Sequence, residues 1–427
     1  MTLEADRLDS WSQRLRQASD RIAAAFPGEG PGRQPVHTVY GGAQLFTSET
    51  SSRLGQLAIE FAGEWAATPA DFEEVLGLDQ ALADRVHRAV MSKLEREPVE
   101  DYRIDFEDGY GNRPDDEEDG HAVSTAREMA AAMSHGGLSP FSGIRVKSMS
   151  GELHKRALRT TDRFITTLVE EGGGVPDGFA VTVPKLQDLA QVEVMVEALG
   201  DLESRLGIDR IPMELMVETP QTVIGVDGTV GMRKWVEAGD GRVRGAHFGT
   251  YDYTASLNIT AAHQAMDHPA CDFARHALQV SLAGTGVWLS DGATNVMPIG
   301  EDPAVVQGAM RLHYDHIRHS LSHAYYQGWD LHPAQLVTRY AAVYAFFLEG
   351  LDAAGARLSN FVESAAKATL VGEVFDDAAT GQGLLNYFLR AINCGAIDEA
   401  EATNRTGLTV DELRTRSFLR ILEGRRE

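Results

Sequence analysis

The sequence predicts an α/β protein, a (β/α)8 TIM barrel with a C-terminal helical extension. Three observations predict it. Short apolar runs that close on polar residues alternate with longer segments of helical periodicity, and this alternation is the mark of a parallel sheet. The runs number eight. They spread over about 300 residues, which suits a barrel whose usual length is ~250 residues before insertions. A doubly wound open sheet is the alternative that shares the alternation.

Taken in order, residues 3–25 read as an amphipathic helix, and "PGEGPGRQP" breaks it through its Pro and Gly content. The eight runs are "HTVYGGAQLF" (37–46), "DYRIDFEDG" (101–109), "GIRVKS" (143–148), "FAVTVPK" (179–185), "IPMELMVET" (211–219), "VRGAHFGTYD" (243–252), "VWLSDGA" (287–293) and "GWDLHP" (328–333). Residues 47–100 form a long insertion in which Thr68 caps a helix whose first position is Pro69. Residues 110–120, "YGNRPDDEEDG", read as an acidic loop. "GEGPG" (28–32) and "EGGGVPDG" (171–178) lack the GK[ST] ending of a phosphate loop and read as plain loops. The last 90 or so residues read as helices, one of which opens at Thr409 with Glu412 at capping-box spacing. The expected division is an N-terminal helix and loop (1–36), a catalytic barrel (37–345) and a helical extension (346–427).

Composition narrows the partners. The 427 residues carry a net charge of -24, which repels nucleic-acid phosphates and anionic membranes. A small molecule or another protein is the expected partner. Hydrophobic content of 43% supports a large core. Cys271 and Cys394, the two cysteines, make no disulfide framework and no zinc motif. The N-terminus lacks an apolar h-region, and no run nears the ~20 apolar residues of a membrane span. The expectation is a soluble, cytoplasmic protein.

In a barrel of this kind the C-terminal strand ends converge on one face, and chemistry sits there. Asp105, Glu107 and Asp108 end the second run. Arg145 and Lys147 lie on the third, and Lys185, Glu218 and Asp252 end the fourth, fifth and sixth. Asp291 follows the seventh, and His332 ends the eighth. So many charges buried without partners would cost several kcal/mol each, which a metal together with an anionic substrate offsets. In "MELMVE" residues two apart share a face, so Glu214 points with Glu218 but lies deeper; it is expected to be structural, paired with Lys147 or Lys185. Glu218 and Asp252, without Cys or His beside them, suit a hard cation such as Mg2+. A helix N-cap or a strand-end salt bridge is the competing reading of the pair.

Six segments, in order, resemble the HpcH/HpaI aldolase and citrate lyase β-subunit family, which is related to malyl-CoA lyase and more distantly to malate synthase. They are "IDFEDG" (104–109), "IRVKS" (144–148), "VPKLQD" (183–188), "MVETPQTV" (216–223), "FGTYDYTASL" (248–257) and "GWDLHPAQ" (328–335). The resemblance implies that Glu218 and Asp252 bind Mg2+, with Mn2+ as a substitute, and that Arg145 contacts the substrate carbonyl or carboxylate. It places Glu107 and Asp108 behind these groups, holding Arg145 or metal-bound waters, and offers Lys185 and His332 as substrate contacts. The general base is open among His37, Asp105, Asp291 and a group from the tail or a second subunit. "RVKS" departs from relatives that carry an asparagine soon after the arginine, and no basic patch for CoA is placed.

The implied reaction is Mg2+-dependent carbon–carbon cleavage or condensation of a small hydroxy or oxo acid, or of its CoA thioester, through a stabilised enolate. A homo-oligomer is expected. A malate-synthase-like enzyme condensing an acyl-CoA with glyoxylate is the nearest rival, and a barrel kept only for binding is a more distant one. Apart from this chemistry, His313, His316, His319 and His323 in "HYDHIRHSLSH" share one helical face. It reads as an exposed or subunit-facing surface, with a transition-metal site as the alternative.

Overall fold

A computed structural model describes residues 3–30, 32–365, 378–417 and 420–421. Eight strands close in sequence order into a barrel, and every neighbouring pair is parallel. They are β1 (His37–Gly42), β2 (Asp101–Asp105), β3 (Phe141–Arg145), β4 (Phe179–Val183), β5 (Met213–Val217), β6 (Val243–Phe248), β7 (Trp288–Ala293) and β8 (Gln327–Asp330). The predicted runs locate all eight, but most overshoot the ladder at the C-terminal end. The excess residues are the polar ones, which leave the hydrogen-bonded sheet to form the mouth.

Helix α1 (Ala5–Ala25) buries none of its residues. The long insertion folds as α2 (Thr50–Trp65), α3 (Pro69–Leu76) and α4 (Gln80–Arg96). Thr68 and Asp71 cap α3 reciprocally, with Pro69 in the first turn where a missing N–H is harmless. Helix α5 (Asp115–His135) corrects the acidic loop: Asp115, Asp116, Glu117 and Glu118 are its first turn. Carboxylates there face the unpaired N–H groups and the positive end of the helix dipole, so the charge run starts a helix. The barrel helices continue with α6 (His154–Gly172), α7 (Ala190–Leu206), the short α8 (Pro220–Val223), α9 (Met232–Ala238) and α10 (Thr250–Ser256), then α11 (Pro269–Leu282), α12 (Pro303–Ser322) and α13 (Pro333–Glu349). Helix α13 runs past the expected boundary at 345.

The tail supplies α14 (Leu351–Ala365), α15 (Ala378–Asn393), α16 (Glu399–Thr406) and α17 (Val410–Arg414), the last opened by the Thr409/Glu412 capping box. Arg390 on α15 donates to Gln34 at 2.7 Å, just before β1 begins. The described part of the tail is thus anchored at the N-terminal end of the barrel, away from the strand ends that carry the acidic residues.

The barrel interior is polar. Glu214 accepts from Arg103 at 2.6 Å and from Arg244 at 2.8 Å, and it also contacts the His247 ring at 3.0 Å. Arg103 also pairs with Asp101, which accepts from the Thr38 hydroxyl at 2.8 Å. Glu214 is therefore structural, but not through the expected lysines. Lys147 lies beyond the end of β3 and donates to the carbonyls of Phe106 and Gly111, both at 2.9 Å. Arg103 and Arg244, on the inner faces of β2 and β6, share the depth of Glu214. Burial opposes the charge on Glu214, but these partners hold its carboxyl well below the usual range.

The histidine face of α12 is not an exposed surface. His313 and His316 are buried. His313 contacts the Thr338 hydroxyl at 2.5 Å, and His316 that of Thr294 at 2.9 Å. The two faces of a barrel helix differ in burial, and this one turns toward β7, β8 and α13. Both cysteines are free and buried. No helix among the described residues is long and apolar enough to cross a membrane.

Candidate active site

The mouth is built from the ends of β2 to β6. Asp105 and Arg145, the last residues of their strands, face each other in register. Arg145 donates to the two Asp105 oxygens at 2.7 and 2.6 Å, a bidentate pair. Asp105 also accepts the N–H groups of Glu107 at 2.9 Å and Gly109 at 2.7 Å. One buried carboxylate thus fixes both the guanidinium and the loop that carries Glu107 and Asp108. Its oxygens are committed, which weakens its candidacy as the general base.

The remaining arm of Arg145 is less engaged. Its Nη1 has Glu107 at 3.6 Å and Asp108 at 3.8 Å, both beyond a good hydrogen bond. Below, the guanidinium lies 4.8 Å from the Tyr40 ring centroid and 5.8 Å from that of Trp329. These two rings, 4.6 Å apart, form the floor of the site.

Lys185 connects the acidic groups. Its ammonium pairs with Glu107, donates to Asp108 at 2.9 Å and lies 3.9 Å from Asp252. Its backbone N–H donates to Glu218 at 2.6 Å. Lys185 has φ 51°, a left-handed conformation uncommon for a side chain of this size; that turn directs the N–H to Glu218. Burial opposes the charge on the lysine, but Glu107 and Asp108 raise its pKa.

Glu218 immediately follows β5 and is 2% exposed. Burial is the main cause that pushes its pKa up to about 8; Asp252 and Glu107 add to the shift, while Arg145 and Lys185 oppose it. Burial also raises Glu107, to about 7, and raises Asp252. Asp108 moves the other way: burial opposes its charge, but hydrogen bonding with Glu107 and Lys185 keeps it lowered. The cluster therefore brings Asp105, Glu107, Asp108, Glu218 and Asp252 against, among the described residues, only Arg145 and Lys185.

A hard divalent cation fits this donor set. It takes carboxylate oxygens, and a high proton affinity on buried Glu218 is what a carboxylate lacking a compensating positive charge shows. Gly249 leaves the room: a Cβ there would meet the Glu218 Cβ at 2.6 Å and its Oε2 at 2.7 Å.

The mouth thus gathers Arg145, Glu107, Asp108, Lys185, Glu218 and Asp252. His332 has a different contact. Its ring accepts the Ala334 N–H at 3.2 Å and caps α13. Two base candidates are also taken up elsewhere. His37 starts β1, at the far end of the barrel, and contacts Asp330 at 2.8 Å. Asp291 lies within β7 and accepts from Arg275 at 2.9 Å and from Ser320 at 2.6 Å on the outer helices. Tyr40, Trp329 and Gly249 were not singled out from the sequence, since nothing marks one strand aromatic or glycine among several until the strands are assembled.

The family model described as "Domain of unknown function (DUF6986)" matches residues 15–421. No curated protein matches the sequence. Among solved structures, the chain is similar to a citrate lyase from Burkholderia xenovorans LB400, with 17% identity and a TM-score of 0.57 over 88% of this chain and 97% of that one. Weaker likenesses include a Haloferax volcanii malate synthase in a magnesium/glyoxylate complex, with 13% identity and a TM-score of 0.47 over 91% of this chain and 97% of that one. Another is an HpcH/HpaI aldolase/citrate lyase family protein from Burkholderia cenocepacia J2315, with 14% identity and a TM-score of 0.39 over 72% and 92%. At these identities the first likeness bears on the fold alone.

Proposed function

This chain belongs to the DUF6986 family, and for it we propose a carbon–carbon lyase or aldolase that cleaves or condenses a small hydroxy or oxo acid, or its CoA thioester. The observation that carries the proposal is the surplus of carboxylates around buried Glu218, beside an arginine whose Nη1 makes only long ion pairs to Glu107 and Asp108. Glu218 and Asp252 would hold Mg2+, or Mn2+ in its place, and that ion would supply positive charge to the oxygen of a developing enolate.

The residues of the chain do the rest. Asp105 holds Arg145 so that Nη1 faces the mouth, where it binds a substrate carboxylate or carbonyl without rearranging. Tyr40 and Trp329 exclude water beneath it. Lys185 holds Glu107 in place and positions Glu218 through its backbone N–H. Glu107, with a pKa near 7, takes or returns a proton at neutral pH. In cleavage, the substrate hydroxyl loses its proton, the carbon–carbon bond breaks, and its electron pair remains as the enolate, which a proton then quenches at carbon.

The enolisation half-reaction tests this without knowledge of the natural substrate. Pyruvate in D2O should exchange its methyl protons, read by NMR, with exchange lost in EDTA, restored by Mg2+ and abolished by Glu218→Gln. Exchange by the parent protein no faster than by Glu218→Gln, across pyruvate, related 2-oxo acids and acetyl-CoA, would sink the proposal.

A further inference from the structure

We propose a second metal site, for a transition ion such as Zn2+, held between α11 and α12 by Asp272, His319 and His323, with His276 as the fourth donor. The site lies on the outer helices flanking β7 and is separate from the proposed function at the mouth.

Each helix contributes two residues four apart, so each pair lies on one face. Asp272 and His276 come from α11, His319 from the last turn of α12, and His323 is the C-cap of α12. Donor atoms of Asp272, His319 and His323 all lie within 4.8 Å of one another. A tetrahedral zinc with ~2.0 Å bonds to nitrogen sets its donors about 3.3 Å apart, so small rotations of these side chains suffice. The Asp272 Oδ1 to His319 Nε2 distance is already 2.8 Å. The His319 and His323 ring centroids are 4.4 Å apart, and those of His276 and His323 are 5.5 Å apart.

Two further contacts prepare the donors. His323 Nδ1 is 2.9 Å from the His319 carbonyl, so it carries the hydrogen and donates it there. The Nε2 lone pair is thereby free, and it makes no hydrogen bond among the described residues. A second nitrogen tied to a backbone carbonyl is how proteins commonly orient a metal-binding imidazole. Asp272 is steadied by Arg275, whose Nη1 donates to Oδ1 at 2.6 Å, while Oδ2 accepts no hydrogen bond among the described residues.

The donor chemistry selects the ion. Imidazole with one carboxylate suits Zn2+ and its first-row neighbours, whereas Mg2+ prefers oxygen alone. Asp272 and His319 are about a quarter exposed, which leaves a route for the ion. The two helices already meet through Asp291 of β7, which accepts from Arg275 and Ser320. A bound ion would add a second tie between them.

The test uses the full-length protein without a histidine tag, dialysed against Zn2+ and, in parallel, Co2+. With excess Mg2+ present to occupy the mouth, one ion per chain is expected, with Co2+ giving the visible absorption of a low-coordinate nitrogen-containing site. His319→Gln and His323→Gln should each weaken binding by about tenfold or more, whereas Glu218→Gln at the mouth should leave it unchanged. Zn2+ should raise the melting temperature of the parent protein and not of the His323→Gln variant. If a buried-side substitution unfolds the chain, exposed His276→Gln supplies the weakened site, with circular dichroism as the folding control. Absence of stoichiometric Zn2+ overturns the proposal, as does binding that survives His319→Gln together with His323→Gln or disappears in Glu218→Gln.

Discussion

Glu218→Gln should stabilise the metal-free protein at alkaline pH while destroying its response to Mg2+. The folded carboxyl binds its proton up to about pH 8, against 4.5 for an ordinary glutamate. Between those values the folded chain holds a proton that the unfolded chain has released. Stability from this group is therefore fully present below 4.5 and is lost as pH rises through about 8. At about 1.36 kcal/mol per pH unit, the gap sets an upper bound of about 5 kcal/mol. Because Glu218 is only 2% exposed, solvent screening does little to reduce it. An unfolding entropy of about 2.1 cal/mol/K per residue over 427 residues converts that bound to ~5 °C. The amide keeps the shape and still accepts the Lys185 N–H, but has no charge to bury. Differential scanning calorimetry of EDTA-treated protein at pH 4.5 and pH 9 measures the effect. The substitution should raise Tm by up to ~5 °C at pH 9 and change it little at pH 4.5. Mg2+ should raise the Tm of the parent at pH 9 and leave the variant unmoved. A variant that melts below the parent at pH 9, or that gains as much from Mg2+, refutes the reasoning.

Four other outcomes are expected. Arg145→Lys keeps a cation beside Asp105 but loses the two-pronged pairing, so Mg2+-dependent pyruvate exchange should fall by about 100-fold. Gly249→Ala places a methyl group 2.6 Å from the Glu218 Cβ, and calorimetric titration should show Mg2+ binding weakened by about tenfold or more. Glu214→Ala leaves Arg103 and Arg244 without their shared carboxylate, and urea denaturation should record a loss of about 3–5 kcal/mol. His332→Ala removes the cap of α13; it should cost about 1 kcal/mol and leave exchange kinetics as they were, whereas a large rise in KM would give His332 a place at the substrate.

Short apolar runs closing on polar residues, set between segments of helical periodicity, made the eight strands legible, because both patterns are local properties of the chain. The mouth groups were legible for a related reason: a strand end in a parallel barrel has only one face to reach, so Arg145, Lys185 and Glu218 could be assembled before any coordinates. What escaped was pairing across the barrel. Glu214 was placed deep by its alternation, yet its arginine partners sit on β2 and β6, and strand order says nothing about depth. Asp105 was legible as a strand-end acid, but its grip on Arg145 depends on register. The acidic stretch at 115–118 was misread as a loop because charge alone does not distinguish a solvated turn from the start of a helix. His313 and His316 were misread as surface because their partners, Thr338 and Thr294, belong to other elements that no helical periodicity brings near.

Asp105 binds Arg145 with both oxygens and the following loop through two N–H groups, so β2, β3 and that loop behave as one rigid block. Any remodelling of the block would strand a buried charge. Diversification of what the mouth accepts would then come from the opposite rim, where the segments after β6, β7 and β8 bear, among the described residues, no comparable tether to the arginine. A laboratory search for altered substrate preference would do best to randomise the segments after β7 and β8, keep Gly249 and Asp252 after β6, and leave the acidic loop alone.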